Sequence, residues 1–274
     1  DMIALGYADM MIAGGSNIDI CQDGYVHIEG MSSADGVVRP FDKNSTGMVP
    51  GNGVGAVVLK EYEAAIRDKD YIYAVIKGGY ICNDGKDKIG YTAPSVTGEV
   101  RAIEGALHRA GIDKNNIDYI ETHGTATVLG DAIELKGIKR VFQRSNDNRL
   151  PIGSLKGNFG HLNMAAGIAS VIKGCLMLER QLIPPSINNS EPNSEISHEE
   201  NIFIPREPIR KEIRNIGISS FGLGGMNSHM ILSRCEENGA VRKQTEPVIL
   251  HPETFISKTV AKWYLENHTI TEDM

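Results

Sequence analysis

The sequence lacks most of the features that tie a chain to a membrane, a nucleic acid or an oxidising compartment. Its 274 residues hold four cysteines (Cys21, Cys82, Cys175 and Cys235), widely spaced and with no Cys-x-x-Cys pair. Such spacing frames neither a disulfide scaffold nor a zinc site and suits reduced thiols in a cytoplasmic setting. Basic residues are outnumbered, 28 Lys and Arg against 35 Asp and Glu, and no basic cluster offsets the net charge of -7. Nucleic acid is therefore not an expected partner, because phosphate binding needs a basic surface. No apolar run reaches the ~20 residues of a membrane helix. The first residues show no basic start and apolar core of a secretory leader.

What is present is ordinary for a globular protein: 41% hydrophobic and 23% charged residues, in a chain long enough for one large domain or two modest ones. The opening "DMIALGYADMMIAGG" reads as a helix end running into a buried strand, and both chain ends read as cut points. "GVGAVVLK" is strand-like and leads into a short helix in "EYEAAIRDKD"; "YIYAVIKGGYICNDG" is another strand. Val100, Ile103, Leu107 and Ala110 recur at helical spacing, with Thr97 and Glu99 at the start and Gly111 at the C-cap. Strand and helix alternate again in "NIDYIETHG" with "GDAIELKGIKRVF", and in "LPIGSLKG" with a helix reaching about Leu178. "RNIGISSFGLGGMNSHMILS" reads as a hairpin with a glycine turn. This alternation implies an α/β fold around a largely buried sheet. From Glu236 onward the sequence turns polar and linker-like.

His123 and His161 each follow a predicted strand, at the sheet edge where α/β proteins collect ligands. At a helix start the dipole disfavours imidazolium, so each ring either stays neutral as donor or base, or only satisfies local backbone groups. Lys156 precedes His161, and Glu134 lies on the helix after His123, so either the two form a buried ion pair or Lys156 is a solvated surface lysine. Thr125 and Thr127 either donate to a polar ligand arm or form a turn. The N–H groups around Gly222, Leu223 and Gly224 either stabilise an oxyanion or close a tight turn. "GNGVGA" is not a dinucleotide loop, because a strand follows it where a helix start is required. A zinc site from His123, His161 and His229 lacks short ligand spacing, and no metal is expected.

Taken in order, these segments resemble one family. "ETHGTATVLGDAIE" is similar to the ketosynthase motif EAHGTGTxLGDPIE, "GSLKGNFGHLNMAAGIASVIK" to GSxKxNxGHxxxAAGxAGxIK, and "GISSFGLGGMNSHMIL" to GVSSFGxGGTNAHVIL. The resemblance spans residues 1–235 and is closest in style to modular polyketide synthases whose acyltransferase acts in trans. It implies a thiolase-like αβαβα fold of two similar halves, here the end of the first and all of the second, in a homodimer. It also implies decarboxylative Claisen condensation between an acyl thioester and a malonyl unit on acyl carrier protein, with no bound cofactor. His123 and His161 would polarise the malonyl thioester, and Lys156 and Glu134 would be their supporting ion pair. Thr125 and Thr127 would meet the phosphopantetheine arm, and Leu223 N–H would serve the oxyanion hole.

The departures bear on activity. The family's nucleophile sits in a motif like DTACSSS, which this sequence does not contain; Cys21 follows the "AGG" strand and does not replace it. The chain as given is therefore expected to be inactive alone in condensation, part of a larger synthase with neighbouring domains, or else a scaffold that docks carrier protein. Ala126 stands for a glycine, Gly157 for Ser or Thr, and Met226 for Thr; the first two read as mild changes. Residues 236–274 read as a linker and the opening of a dehydratase-like domain, in which His268 would be the catalytic histidine.

Overall fold

A computed structural model describes residues 2–19, 27–87, 94–145, 148–193, 196 and 201–237. The tail with His268, and Cys21, lie outside the described residues.

The chain enters through a turn at Gly6 (φ 74°), where Tyr7 N–H donates to the Met2 carbonyl at 3.0 Å, the way a helix end is closed. β1 (Met10–Asn17) and β2 (Gly53–Lys60) pair antiparallel, followed by α1 (Tyr62–Arg67). β3 (Val75–Asn83) leads to α2 (Val96–Ala110), whose N-cap is Ser95 and whose C-cap Gly111 is left-handed at φ 63°. β4 (Tyr119–Glu121), α3 (Val128–Val141), β5 (Leu150–Gly153), the single-turn α4 (Lys156–Phe159) and α5 (Ala166–Arg180) come next. Short strands β6 (Leu182–Ile183), β7 (Ile202–Phe203) and β8 (Ile209–Arg210) precede β9 (Asn215–Gly222) and β10 (Met226–Ser233).

The main sheet runs β3-β10-β9-β4-β5-β7. β10 is antiparallel to both neighbours, while β9, β4, β5 and β7 run parallel. The loops after β9, β4 and β5 therefore leave from one edge of the sheet. On one face Ile103, Ile120, Leu135, Ile138, Leu150 and Ile152 form a core with α2 and α3. On the other, Tyr119, Met177, Leu178, Ile216 and Ile218 form a core with α5. α5 also contacts β1 and β2, so it lies between the main sheet and the two-stranded sheet. Among the described residues the layers are thus β, α, β, α, four of the five in the expected stack.

That count corrects the expectation of a buried β1. Its residues alternate in burial, and the outer face of the β1–β2 pair shows Met10, Ile12, Val54 and Val58 each more than half exposed. The inner face is close-packed. A Cβ on Gly15 would lie 2.4 Å from the Met164 carbonyl oxygen and one on Gly51 2.2 Å from that of Phe159, so these glycines mark backbone contact. An exposed apolar face of this kind promotes association. Replacing Ile12 and Val58 by threonine is expected to raise the monomer fraction on size exclusion without lowering the melting temperature.

Glu99 lies in the first turn of α2, as its spacing suggested, but on the buried side. It is 1% exposed beside α3, and among the described residues neither carboxylate oxygen has a hydrogen-bond partner. Burial, with Glu134 and Asp84 nearby, pushes its pKa up to about 10. A carboxyl raised this far is neutral in the fold, so its contribution to stability is lost as pH rises from the unfolded value of 4.5 towards 10. Glu99→Gln is therefore expected to stabilise the protein by about 2 kcal/mol at pH 8 and to flatten the alkaline fall in melting temperature.

Candidate active site

The loops after β4 and β5 are stitched together before any side chain reaches the site. Thr122 N–H and its hydroxyl both donate to the Gly153 carbonyl at 2.8 Å, and Ser154 Oγ donates to the Gly124 carbonyl at 2.9 Å. Glu134, from α3, accepts the N–H groups of His123 and Gly124, one on each oxygen, at 2.8 Å. Lys156 Nζ donates to the His123 carbonyl. The expected Lys156–Glu134 ion pair is thus not a direct contact. The two residues hold the same peptide from its two ends and interact through space. Burial raises Glu134 to about 7 against the pull of those N–H groups and Lys156, and burial lowers Lys156.

The rings of His123 and His161 meet edge to face with centroids 5.5 Å apart, and Phe221 lies 5.6 Å from His123. His161 does not open a helix, as its sequence position suggested. It lies between α4 and α5, in extended pairing with Pro50: His161 N–H donates to the Val49 carbonyl at 2.7 Å and Gly51 N–H to the His161 carbonyl at 3.0 Å. Its Nδ1 accepts the Asn163 N–H at 2.9 Å. A backbone amide can only donate, so the proton of the neutral ring sits on Nε2. Burial first, and then the Lys156 charge, lower the His161 pKa to about 4. Burial, Lys156 and His161 hold His123 well below its usual value. Neutrality was expected from a helix dipole; it comes from burial and a lysine.

Thr125 and Thr127 hydroxyls lie 3.0 Å apart at the start of α3. Gly222, Leu223 and Gly224 form the β9–β10 turn, closed by Gly225 N–H on the Gly222 carbonyl at 3.1 Å. Leu223 is exposed at its apex, and Phe221 links the turn to His123. Met226 replaces threonine at an exposed position, where its sulfur and the Gly224 carbonyl share the Asn83 side-chain amide, each at 3.3 Å. Gly157 is close-packed, since a Cβ there would meet the Ile187 carbonyl oxygen at 3.2 Å. Ala126 is not a mild change: its φ is 62°, a left-handed backbone that costs a non-glycine residue about 1–2 kcal/mol.

Asp131 was missed by sequence reading. It is 1% exposed and accepts Ala126 N–H at 3.0 Å and Phe41 N–H at 2.6 Å, which explains how the strained residue is held. An aspartate inside the apolar helical run "VLGDAIEL" was the available signal. His229 is committed to Ser219 at 2.9 Å, and burial lowers it to about 3. Among the described residues no group of three His, Cys, Asp or Glu side chains is arranged to hold a metal. Cys82 donates to the Gly98 carbonyl, and burial raises Cys175 on α5 to about 11.

A mixed α/β sheet, a second sheet across a central helix and a histidine pair at the strand ends define a thiolase-like protein. The sequence model "Beta-ketoacyl synthase, C-terminal domain" matches residues 73–190, and "Beta-ketoacyl synthase, N-terminal domain" matches residues 1–65. The chain belongs to the beta-ketoacyl synthase family, among the ketosynthase domains of polyketide synthases. It is 41% identical over 252 residues to a phenolphthiocerol/phthiocerol polyketide synthase protein of Mycobacterium tuberculosis, covering 88% of this chain and 17% of that protein. The ketosynthase from module 1 of the bacillaene synthase of Bacillus amyloliquefaciens matches with a TM-score of 0.79 and 40% identity, over 85% of this chain and 42% of that one. Ketosynthase twelve of the bacillaene polyketide synthase from that species gives a TM-score of 0.80 at 36% identity, over 86% and 44%. The chain thus spans less than half of these solved chains. No helix among the described residues is long and apolar enough to cross a membrane.

Proposed function

We propose that the chain supplies the malonyl-activating part of a polyketide ketosynthase of the type served by a trans-acting acyltransferase. The observation that carries this reading is the neutral histidine pair, with His161 fixed as an Nε2–H donor by Asn163. In the reaction, the C–C bond to the malonyl carboxylate breaks, CO2 leaves, and the electron pair forms the thioester enolate. Neutral N–H donors at the thioester oxygen stabilise that charge. The enolate carbon then attacks an acyl thioester held on a cysteine, and the cysteine thiolate leaves. Thr125 and Thr127 meet the phosphopantetheine arm of acyl carrier protein, while Leu223 N–H, between Gly222 and Gly224, serves the acyl oxyanion.

No sequence like DTACSSS is present, so this chain supplies no acyl acceptor. In this reading it works within a larger cytoplasmic, dimeric synthase, beside neighbouring domains. Residues 1–235 are the ketosynthase portion, and residues 236–274 a linker into a dehydratase-like start. The missing motif also favours a second reading, a non-catalytic carrier-docking scaffold.

One experiment separates them. The 274-residue chain, given malonyl-phosphopantetheine carrier and an acyl carrier donor, is expected to release CO2 and leave acetyl thioester with no β-ketoacyl product. Carrier binding without CO2 release supports the scaffold. A β-ketoacyl product made by the chain alone rules out the missing acceptor.

A further inference from the structure

Beneath the histidine pair lies a buried charged cluster that the proposed reaction leaves unassigned. Tyr119 and Glu121, two apart on β4, point to the α5 side of the sheet, and both are 0% exposed. Lys173 reaches from α5 to meet them. Its Nζ donates to Glu121 Oε2 at 2.5 Å and to Tyr119 Oη at 3.0 Å, while Tyr119 Oη donates to the same carboxylate oxygen at 3.0 Å. The other oxygen, Oε1, accepts the N–H of Leu155 at 2.7 Å.

That last bond joins the cluster to the site. Leu155 immediately precedes α4, whose first residue Lys156 reaches the His123 carbonyl. The opening N–H groups of a helix have no partner within it, and here a carboxylate from a neighbouring strand takes one of them. Glu121 therefore grips the chain one residue before Lys156. The charges are ordered in the same way. Lys156 makes no ion pair with Glu134, and Glu121, Glu134 and Asp131 provide its opposing field, with Lys173 adding like charge. His123 and His161 both feel the Lys156 charge, and Ser154 Oγ accepts the Lys156 N–H at 3.3 Å.

We propose that Glu121, braced by Lys173, is a positioning residue of this site: it fixes the Leu155 amide and with it the reach of Lys156 to His123. This inference rests on the reading of His123 and His161 as the malonyl-activating pair. Lys173 lines an apolar cavity of about 520 Å³ together with Leu155, Leu162, Ile168 and Ile172, so its aliphatic stem can be kept while its charge is removed.

The test uses Lys173→Met, Lys173→Arg and Tyr119→Phe in the full chain, with two readouts. Hydrogen exchange of the Leu155 amide reports the anchor, and CO2 release from malonyl-phosphopantetheine reports the site. Lys173→Met is expected to speed Leu155 exchange at least about tenfold and to lower kcat about 10- to 100-fold with KM unchanged. Lys173→Arg, which keeps the cation, should recover most of both. Tyr119→Phe should give a smaller loss in the same direction. The His161 Nε2–H signal, set by Asn163 outside this cluster, shows that the fold survives. Unchanged Leu155 exchange and kcat in Lys173→Met overturn the proposal, as does a kcat loss that arginine fails to recover. If no form releases CO2 but Leu155 exchange responds as expected, the anchor stands and the malonyl-activating reading falls.

Discussion

Replacing His161 with alanine is expected to lower CO2 release from a malonyl thioester by about 100- to 10,000-fold. The reasoning starts from the proton. Asn163 N–H occupies Nδ1, so the Nε2 proton is available to an oxygen that gains charge as CO2 departs. Because burial and Lys156 lower the pKa to about 4, the ring is already in this form at neutral pH. Its folded pKa lies below the ordinary 6.5, so the stability tied to the neutral ring is complete above that value and is lost as pH falls towards 4. The His161 ring should consequently impose no step in CO2 release between pH 8 and pH 6, where an unperturbed histidine would, and a step near pH 7 would belong to Glu134 beneath the loop. His161→Gln retains an N–H donor and should recover part of the loss. Equal activity of His161→Ala and the unaltered chain, measured by trapping released CO2, would falsify the assignment.

The second large effect concerns stability. Glu134→Ala removes the acceptors of the His123 and Gly124 N–H groups, buried beneath the loop. Two orphaned donors cost about 2–5 kcal/mol together, and Lys156 loses one of its opposing charges. Urea unfolding should show the drop in midpoint with little change in slope, since the surface exposed on unfolding is nearly the same. Glu134→Gln keeps one carbonyl oxygen and places an NH2 where the second N–H needs an acceptor, so it should recover less than half. A Glu134→Ala chain with an unaltered midpoint would show that water replaces the carboxylate without penalty.

The parts of this arrangement legible in the sequence were those carried by local pattern. Periodic Val100, Ile103 and Leu107 announced α2, and Gly111 announced its end, because each obeys the geometry of one helix. His123 and His161 stood out because both follow strands. What stayed hidden depends on partners distant in sequence. Lys173 lies 52 residues from Glu121, and Phe41 lies 90 from Asp131, separations that no periodicity encodes. Lys156 and Glu134 were visible as a pair, yet their common target was a backbone peptide, which leaves no trace in side-chain identity. The lysine, two glycines and alanine-rich run around His161 are the local pattern of a helix start. The extended pairing with Pro50 comes from a segment more than a hundred positions earlier.

The glycine contacts along the two-stranded sheet set a rule for how this part of the chain can diverge. Gly15 and Gly51 press backbone against backbone, while Gly53 and Gly55 receive Leu162 and Ile168. Ile12, Val54 and Val58 face outward. A library randomised over this segment should therefore accept almost any residue at Ile12, Val54 and Val58, and refuse a single methyl group at Gly15 and at Gly51, just before β2. The refusals would register as altered chemistry at His161, since the Phe159 and Met164 carbonyls displaced by that methyl lie two residues before it and three after.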